Sequence, residues 1–141
     1  LASIRELGVY AAEAGIALGV ENRDGYEEIP SFYEFDEVFA ASEGLPVYYW
    51  HDVGHAEKHR HLGLPGQAEY LVRFRDRLLG IHLHDAILIH DHLAPGQGQV
   101  DLAAIARLVP PSVLRTLELN SQPTANEARR GIALLADLGL A

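Results

Sequence analysis

Four apolar, strand-like stretches of this 141-residue chain each end in side chains that bind metal ions well. "AGIALGVEN" ends at Glu21, "LPVYYWHD" at Asp52, "LLGIHLHD" at His82, His84 and Asp85, and "SVLRTLELN" at Glu118. Roughly thirty residues separate one terminus from the next, about the length of a strand–helix unit. In a parallel sheet flanked by helices, side chains at the carboxyl ends of neighbouring strands converge on one crevice, where ligands bind. Glu21, Asp52, His82 and Glu118 would then supply three carboxylates and one imidazole to a single point. Such a set suits one divalent ion: Mn²⁺, Mg²⁺ or Co²⁺, or Zn²⁺ with open positions. A lone acid at a strand end is usually a helix cap or a loop hydrogen bonder. Four at equivalent ends are much harder to explain that way.

Other histidines cluster around these four. His55 follows Asp52 by three residues in "HDVGH", a spacing that lets a strand end and the turn after it enter one site. His84 shares a face with His82 and is expected to line the pocket, one pleat further out, without binding the ion. His51 and Asp85 have the opposite parity and are expected to face the helices, whereas His59 and His61 in "EKHRH" are expected in solvent. "HDHLAPGQGQVD" carries His90, Asp91 and His92 ahead of a turn in which Gly96 and Gly98 permit backbone shapes that other residues resist. That loop could hold His92 over the site. No P-loop, dinucleotide fingerprint or G-x-S-x-G elbow occurs.

The elements that must position these groups alternate. Ile4, Leu7 and Ala14 recur at helical spacing over 2–14, and Gly15 stops the run. Strands are expected over 16–21, 46–52, 79–85 and 113–119, and helices over 32–43 with Ser31 as N-cap, 67–78, 102–109 after Asp101, and 124–137 opened by Pro123. Residues 53–66 read as a long loop, with at most a helical turn. The fold class is therefore α/β, built of parallel (β/α) units, with four strands amounting to half of a TIM (β/α)8 barrel in a single domain over 1–141. Parity puts Gly19, Trp50, Gly80 and Thr116 on the face of the candidate ligands, which would be the barrel interior, and Val20, Leu83, Leu117 and Leu119 towards the helices. A half-barrel leaves two open sheet edges and an apolar face, expected to be lined by Leu18, Val47, Ile81 and Leu117. Self-association or pairing with an N-terminal half-barrel would cover that surface.

Composition narrows the partners. Hydrophobic residues make up 48% and charged residues 22%, ordinary values for a globular protein. A net charge of −9 with only 11 Lys and Arg argues against a nucleic-acid partner, because phosphate backbones are bound by basic side chains. No apolar run approaches a membrane span, so no membrane partner is expected. Without cysteine there is neither a disulfide framework nor a thiolate metal site, and a cytoplasmic location is expected. The chain has no methionine and opens within helix-like sequence, so it is expected to be a segment of a longer product.

"GVEN", "DVGHA", "IHLHD" followed by "HLAPGQGQVD", and "LELN" occur in this order at the strand ends. In this the chain resembles, over nearly its whole length, the C-terminal half of the xylose-isomerase-like barrel superfamily. That group includes sugar-phosphate isomerases and epimerases, inosose dehydratases and apurinic-site endonucleases. The resemblance implies that Glu21, Asp52, His82 and Glu118 hold one divalent metal ion, and that His55 contacts substrate, with His84 and His92 beside it. It also implies a divalent-metal-dependent sugar or sugar-phosphate isomerase or epimerase, in which Glu21 and Glu118 pass a proton between carbons through a metal-bound enediolate. A hydride shift or a dehydration would use the same site. Two alternatives stand beside this reading: a zinc-dependent apurinic-site endonuclease-like phosphodiesterase, and a catalytically inactive half-barrel. In the endonuclease branch the equivalents of His55 and His92 bind further zinc, and the carboxylate expected two residues before His92 is here His90.

Overall fold

Short apolar runs alternating with helical stretches build one parallel sheet, described for residues 1–141 by a computed structural model. In chain order the elements are α1 (Ala2–Ala14), β1 (Leu18–Glu21), α2 (Phe35–Ala41), β2 (Val47–Asp52), α3 (Val53–His61) and α4 (Gln67–Arg73). They continue with β3 (Leu78–Leu83), β4 (Asp85–Ile87), β5 (His90–Leu93), α5 (Leu102–Leu108), β6 (Leu114–Leu117) and α6 (Ala125–Asp137). Strands pair in the order β1-β2-β3-β6, all parallel, and the chain has the α/β architecture of half a TIM barrel. No helix is long and apolar enough to cross a membrane.

Several elements depart from the sequence expectation. Residues 53–61 form α3 instead of a loop. Asp52 caps this helix by accepting the His55 N–H at 2.8 Å, and its last turn carries Lys58, His59, Arg60 and His61 where the helix dipole favours positive charge. With so polar a sequence no apolar stripe announced it. Helix α2 starts at Phe35 and Ser31 does not cap it; instead the Ser31 N–H donates to the Glu34 carboxylate at 2.8 Å. The stretch expected as a plain loop after β3 contains the antiparallel hairpin β4–β5. Asp101 does cap α5, accepting from the Ala104 N–H at 2.8 Å, while Thr124 rather than Pro123 opens α6, in a capping box with Glu127.

The core lies between sheet and helices. Val53, Ile81, Leu83, Leu102, Ile105 and Leu135 pack in one cluster, and Phe35, Phe39, Tyr49, Tyr70 and Phe74 in a second, aromatic one. The open face is the one that parity assigns to the candidate ligands, but its lining is not the expected Leu18, Val47, Ile81 and Leu117. Val47 and Ile81 are fully buried beneath the helices, and Leu117 packs against the first cluster. The parity that sends the candidate ligands inward sends these neighbours outward. The open face carries Tyr48, Trp50, Leu114 and Thr116, with Leu114 57% exposed. Trp50 lies across it, over two glycines: a Cβ on Gly80 would stand 2.2 Å from the indole, and one on Gly19 2.9 Å. Small residues at 19 and 80 are thus the space the ring occupies.

Candidate metal centre

Strand register brings the four ligand candidates together. Asp52 is opposite His82, His82 is opposite Thr116, and Glu21 is opposite Trp50, two residues before Asp52. Glu118 continues the pairing just past β6, its N–H donating to the Leu83 carbonyl at 3.2 Å. Three carboxylates then face one imidazole nitrogen. His82 Nδ1 lies 2.7 Å from Glu21 Oε1, 2.7 Å from Glu118 Oε2 and 3.5 Å from Asp52 Oδ2. The donor atoms of all four residues lie within 4.8 Å of one another. Burial works to lower the pKa of His82, but its bonds to Asp52 and Glu21 and the charges of Glu21 and Glu118 outweigh this and raise it to about 10. Burial likewise opposes charge on Asp52, yet the hydrogen bonds from His82 and His84 hold its carboxyl well below the usual range. Three anions at such range demand a cation, which a proton on His82 or a divalent ion can supply. This donor set fits a hard or borderline divalent ion.

Asp52 is the most tightly held of the four. His84 Nε2 lies 3.0 Å from both of its carboxylate oxygens, and the His55 N–H donates to Oδ1 at 2.8 Å. The His92 N–H donates to His84 Nδ1 at 2.8 Å, so the imidazole proton sits on Nε2 and points at Asp52. Asn22 ties the ends of β1 and β2, donating to the Asp52 carbonyl at 3.0 Å and accepting from its N–H at 2.7 Å. His84 was expected to line the pocket. Instead it is 0% exposed, stacked on His92 at 4.4 Å between ring centres, and its role is to orient Asp52. Gly54 makes this possible, because a Cβ there would stand 2.1 Å from His84 Cε1.

His55 and His92 do reach the rim. His55 Nδ1 donates to the Asn22 carbonyl at 2.9 Å, and its ring lies 6.0 Å from that of His92. His92 sits on the hairpin at φ 56, with Nδ1 2.9 Å from Asp91 Oδ1 and Nε2 3.6 Å from Glu118 Oε1. The loop thus holds His92 beside the centre. His51 is buried as expected, between the Tyr49 hydroxyl and Gln67 Oε1 at 2.7 Å each, and burial lowers its pKa to about 4. His59 is not in solvent: α3 turns it inward against Tyr70, and it is buried. His61 is exposed as expected and pairs with Glu57.

Asp85 and Gly98 take a joint role that the sequence reading of each did not give. Asp85, expected merely to face the helices, is buried and accepts three backbone N–H groups, from Ala86 at 2.9 Å, Gly96 at 2.8 Å and Val100 at 3.0 Å. It thereby closes the loop that follows His92. Gly98 is the matching residue, since a Cβ there would lie 2.3 Å from Asp85 Oδ1. An acid followed at a distance by G-x-G was the available signal.

No family model matches the chain, and no curated protein does. Solved structures do match its fold. It superposes on a 3-keto-D-glucoside 4-epimerase from E. coli with TM-score 0.74 at 20% identity, over 96% of this chain and 51% of that one. It superposes on a D-tagatose 3-epimerase-like protein with TM-score 0.72 at 17% identity, over 97% and 52%. A D-allulose 3-epimerase from Methylomonas sp., in complex with D-allulose, matches with TM-score 0.66 at 19% identity, over 99% and 50%. The chain spans about half the length of each of these structures.

Proposed function

We propose that residues 1–141 form the C-terminal half-barrel of a divalent-metal-dependent sugar or sugar-phosphate isomerase or epimerase, acting on a small sugar or sugar-acid. One observation carries the reading: two glutamates approach the same His82 nitrogen from different strands, each at 2.7 Å. Glu21, Asp52, His82 and Glu118 would hold the ion. When bound, it would supply a Lewis acid that polarises a carbonyl and its neighbouring hydroxyl and so acidifies the C–H between them.

The protein groups divide by accessibility. Asp52 is 0% exposed and fully bonded, so it can anchor but cannot reach a substrate. The side chains of Glu21 and Glu118 are 26% and 41% exposed and can each meet one face of a substrate carbon. One takes the proton as general base while the other returns a proton as general acid. His55 and His92, at the rim, would hydrogen-bond substrate oxygens and fix which carbon faces which glutamate. His84 acts through Asp52. The unpaired edges of β1 and β6, with Tyr48 and Leu114 exposed between them, suit an N-terminal half-barrel or a second copy of the chain. Coverage of only half of each solved structure supports that pairing.

The test is solvent exchange. The metal-loaded chain, joined to its N-terminal half, is incubated with ketohexoses in D₂O and followed by NMR. Deuterium at the carbon beside the carbonyl, lost in Glu21→Gln and Glu118→Gln, is the expected result. Conversion without deuterium would mean a hydride shift, and phosphodiester cleavage without sugar exchange would overturn the assignment.

A further inference from the structure

A second group of potential metal donors lies next to the first. Asp24, in the loop after β1, His55 in α3 and Asp91 in β5 bring their donor atoms within 4.8 Å of one another. The His55 proton is committed at Nδ1 to the Asn22 carbonyl, which leaves Nε2 bare, 4.0 Å from Asp24 Oδ1. A carbonyl behind the imidazole and carboxylates in front of it is the arrangement that orients a histidine as a ligand. Into this group comes the ammonium of Lys58, two turns along α3 from the metal-bearing strand end. It forms a close ion pair with Asp24 and lies 3.2 Å from Asp91 Oδ2. Its side chain is only 16% exposed, so the charge is partly withdrawn from water and matched to these two acids.

We propose that Lys58 occupies the place of a second cation and thereby holds the centre to one divalent ion. The inference rests on reading Glu21, Asp52, His82 and Glu118 as the first site. The two positions are close enough to compete. Asp91, which accepts from Lys58, also binds His92, whose other nitrogen lies 3.6 Å from Glu118. A monovalent, non-exchanging ammonium neutralises the acids but offers no open coordination position. A paired-ion site can clamp the attacking and leaving oxygens of a displacement, a role that a single ion beside a tethered ammonium does not fill.

Metal counting tests it directly. The chain, Lys58→Met and Lys58→Gln are equilibrated with excess Zn²⁺, desalted, and measured by mass spectrometry for ions per chain. One ion in the unaltered protein, two in the variants, and a return to one in Lys58→Met/Asp91→Asn is the expected pattern. The glutamine variant keeps a neutral polar chain of similar reach should the methionine variant not fold. One ion in both Lys58 variants would overturn the proposal and leave the first site standing. Two ions in the unaltered chain would overturn it too, and without any variant. No bound ion in the unaltered chain would instead remove the first site, a distinguishable failure.

Discussion

Replacing His84 tests the assignment of a positioning role most sharply, because sequence parity alone makes His84 a pocket-lining residue. Its Nε2–H meets both Asp52 oxygens at 3.0 Å, and its Nδ1 accepts the His92 N–H at 2.8 Å. His84→Ala removes a hydrogen bond to a buried carboxylate, worth about 1.5–3 kcal/mol, and leaves the His92 N–H unpaired at a further cost of about 1–3 kcal/mol. It also empties the space against Gly54 and removes the ring that stacks on His92. A stability loss of about 3–5 kcal/mol is expected, together with a metal affinity lower by about 10–100-fold, the usual effect of losing the group that orients a ligand. His84→Gln, whose side-chain amide can still donate to Asp52, should recover most of the affinity. Titration of Mn²⁺ by calorimetry gives the affinity, and thermal unfolding of metal-free and loaded protein gives the stability. If His84→Ala folds and binds Mn²⁺ within about twofold of the unaltered chain, the orienting role is wrong. A rise in KM for sugar with unchanged metal affinity would restore the pocket-lining role instead.

Asp52→Asn and Glu118→Gln should each weaken metal binding, the first more severely, since Asp52 is fully buried and Glu118 is 41% exposed; unchanged affinity in both would end the four-ligand site. The metal-free chain should lose stability as pH rises. His82 is raised to about 10, so its contribution is full below its unfolded value near 6.5 and gone once pH passes about 10. On the acid side His51, lowered to about 4, makes the fold less stable as pH falls from about 6.5 to about 4, because only the unfolded chain takes up that proton. Thermal midpoints across pH 4–10 check both limbs, and His82→Gln should flatten only the alkaline one. Gly80→Ala puts a Cβ 2.2 Å from Trp50 and should cost about 1–3 kcal/mol in unfolding free energy by forcing the indole aside. By sedimentation the isolated chain should self-associate, and a stable, fully active monomer would refute the half-barrel reading.

The fold was legible in the sequence because its signals were local and repeated. Four apolar runs ended in ligand-type residues at near-equal spacing, and strand parity alone put Glu21, Asp52, His82 and Glu118 on one face. Parity could not say what lay beyond a strand end. His84 follows β3 and Asp85 begins β4, so their surroundings depend on where a hairpin and a helix fold back. His84 is covered by Gly54 and His92, and Asp85 by backbone N–H groups up to fifteen residues away. Helix α3 was missed for a related reason. Its stability comes from the Asp52 cap and from basic residues at its end, neither of which leaves an apolar period. The lining of the open face follows the same parity: Val47, Ile81 and Leu117 alternate with the ligand candidates and so lie on the helix side.

The same carboxylate chemistry takes two roles here according to burial. Asp52 accepts from His84 and the His55 N–H, shows no exposed surface, and cannot move without breaking the cap of α3. Glu21 and Glu118 meet the same imidazole but keep part of their surface free. A group that must both bind an ion and handle a substrate proton needs that freedom, whereas a group that fixes the ion needs the opposite. All four candidate donors, and the residues that orient Asp52, come from the units described here, so on the proposed reading metal binding is a local property of this chain. Closure is not local. The face that carries Trp50 and Leu114 and the free edges of β1 and β6 call for partners outside the sheet, and enclosing a substrate above the centre would require them. On the proposed function, binding without turnover is therefore the expected behaviour of the chain alone.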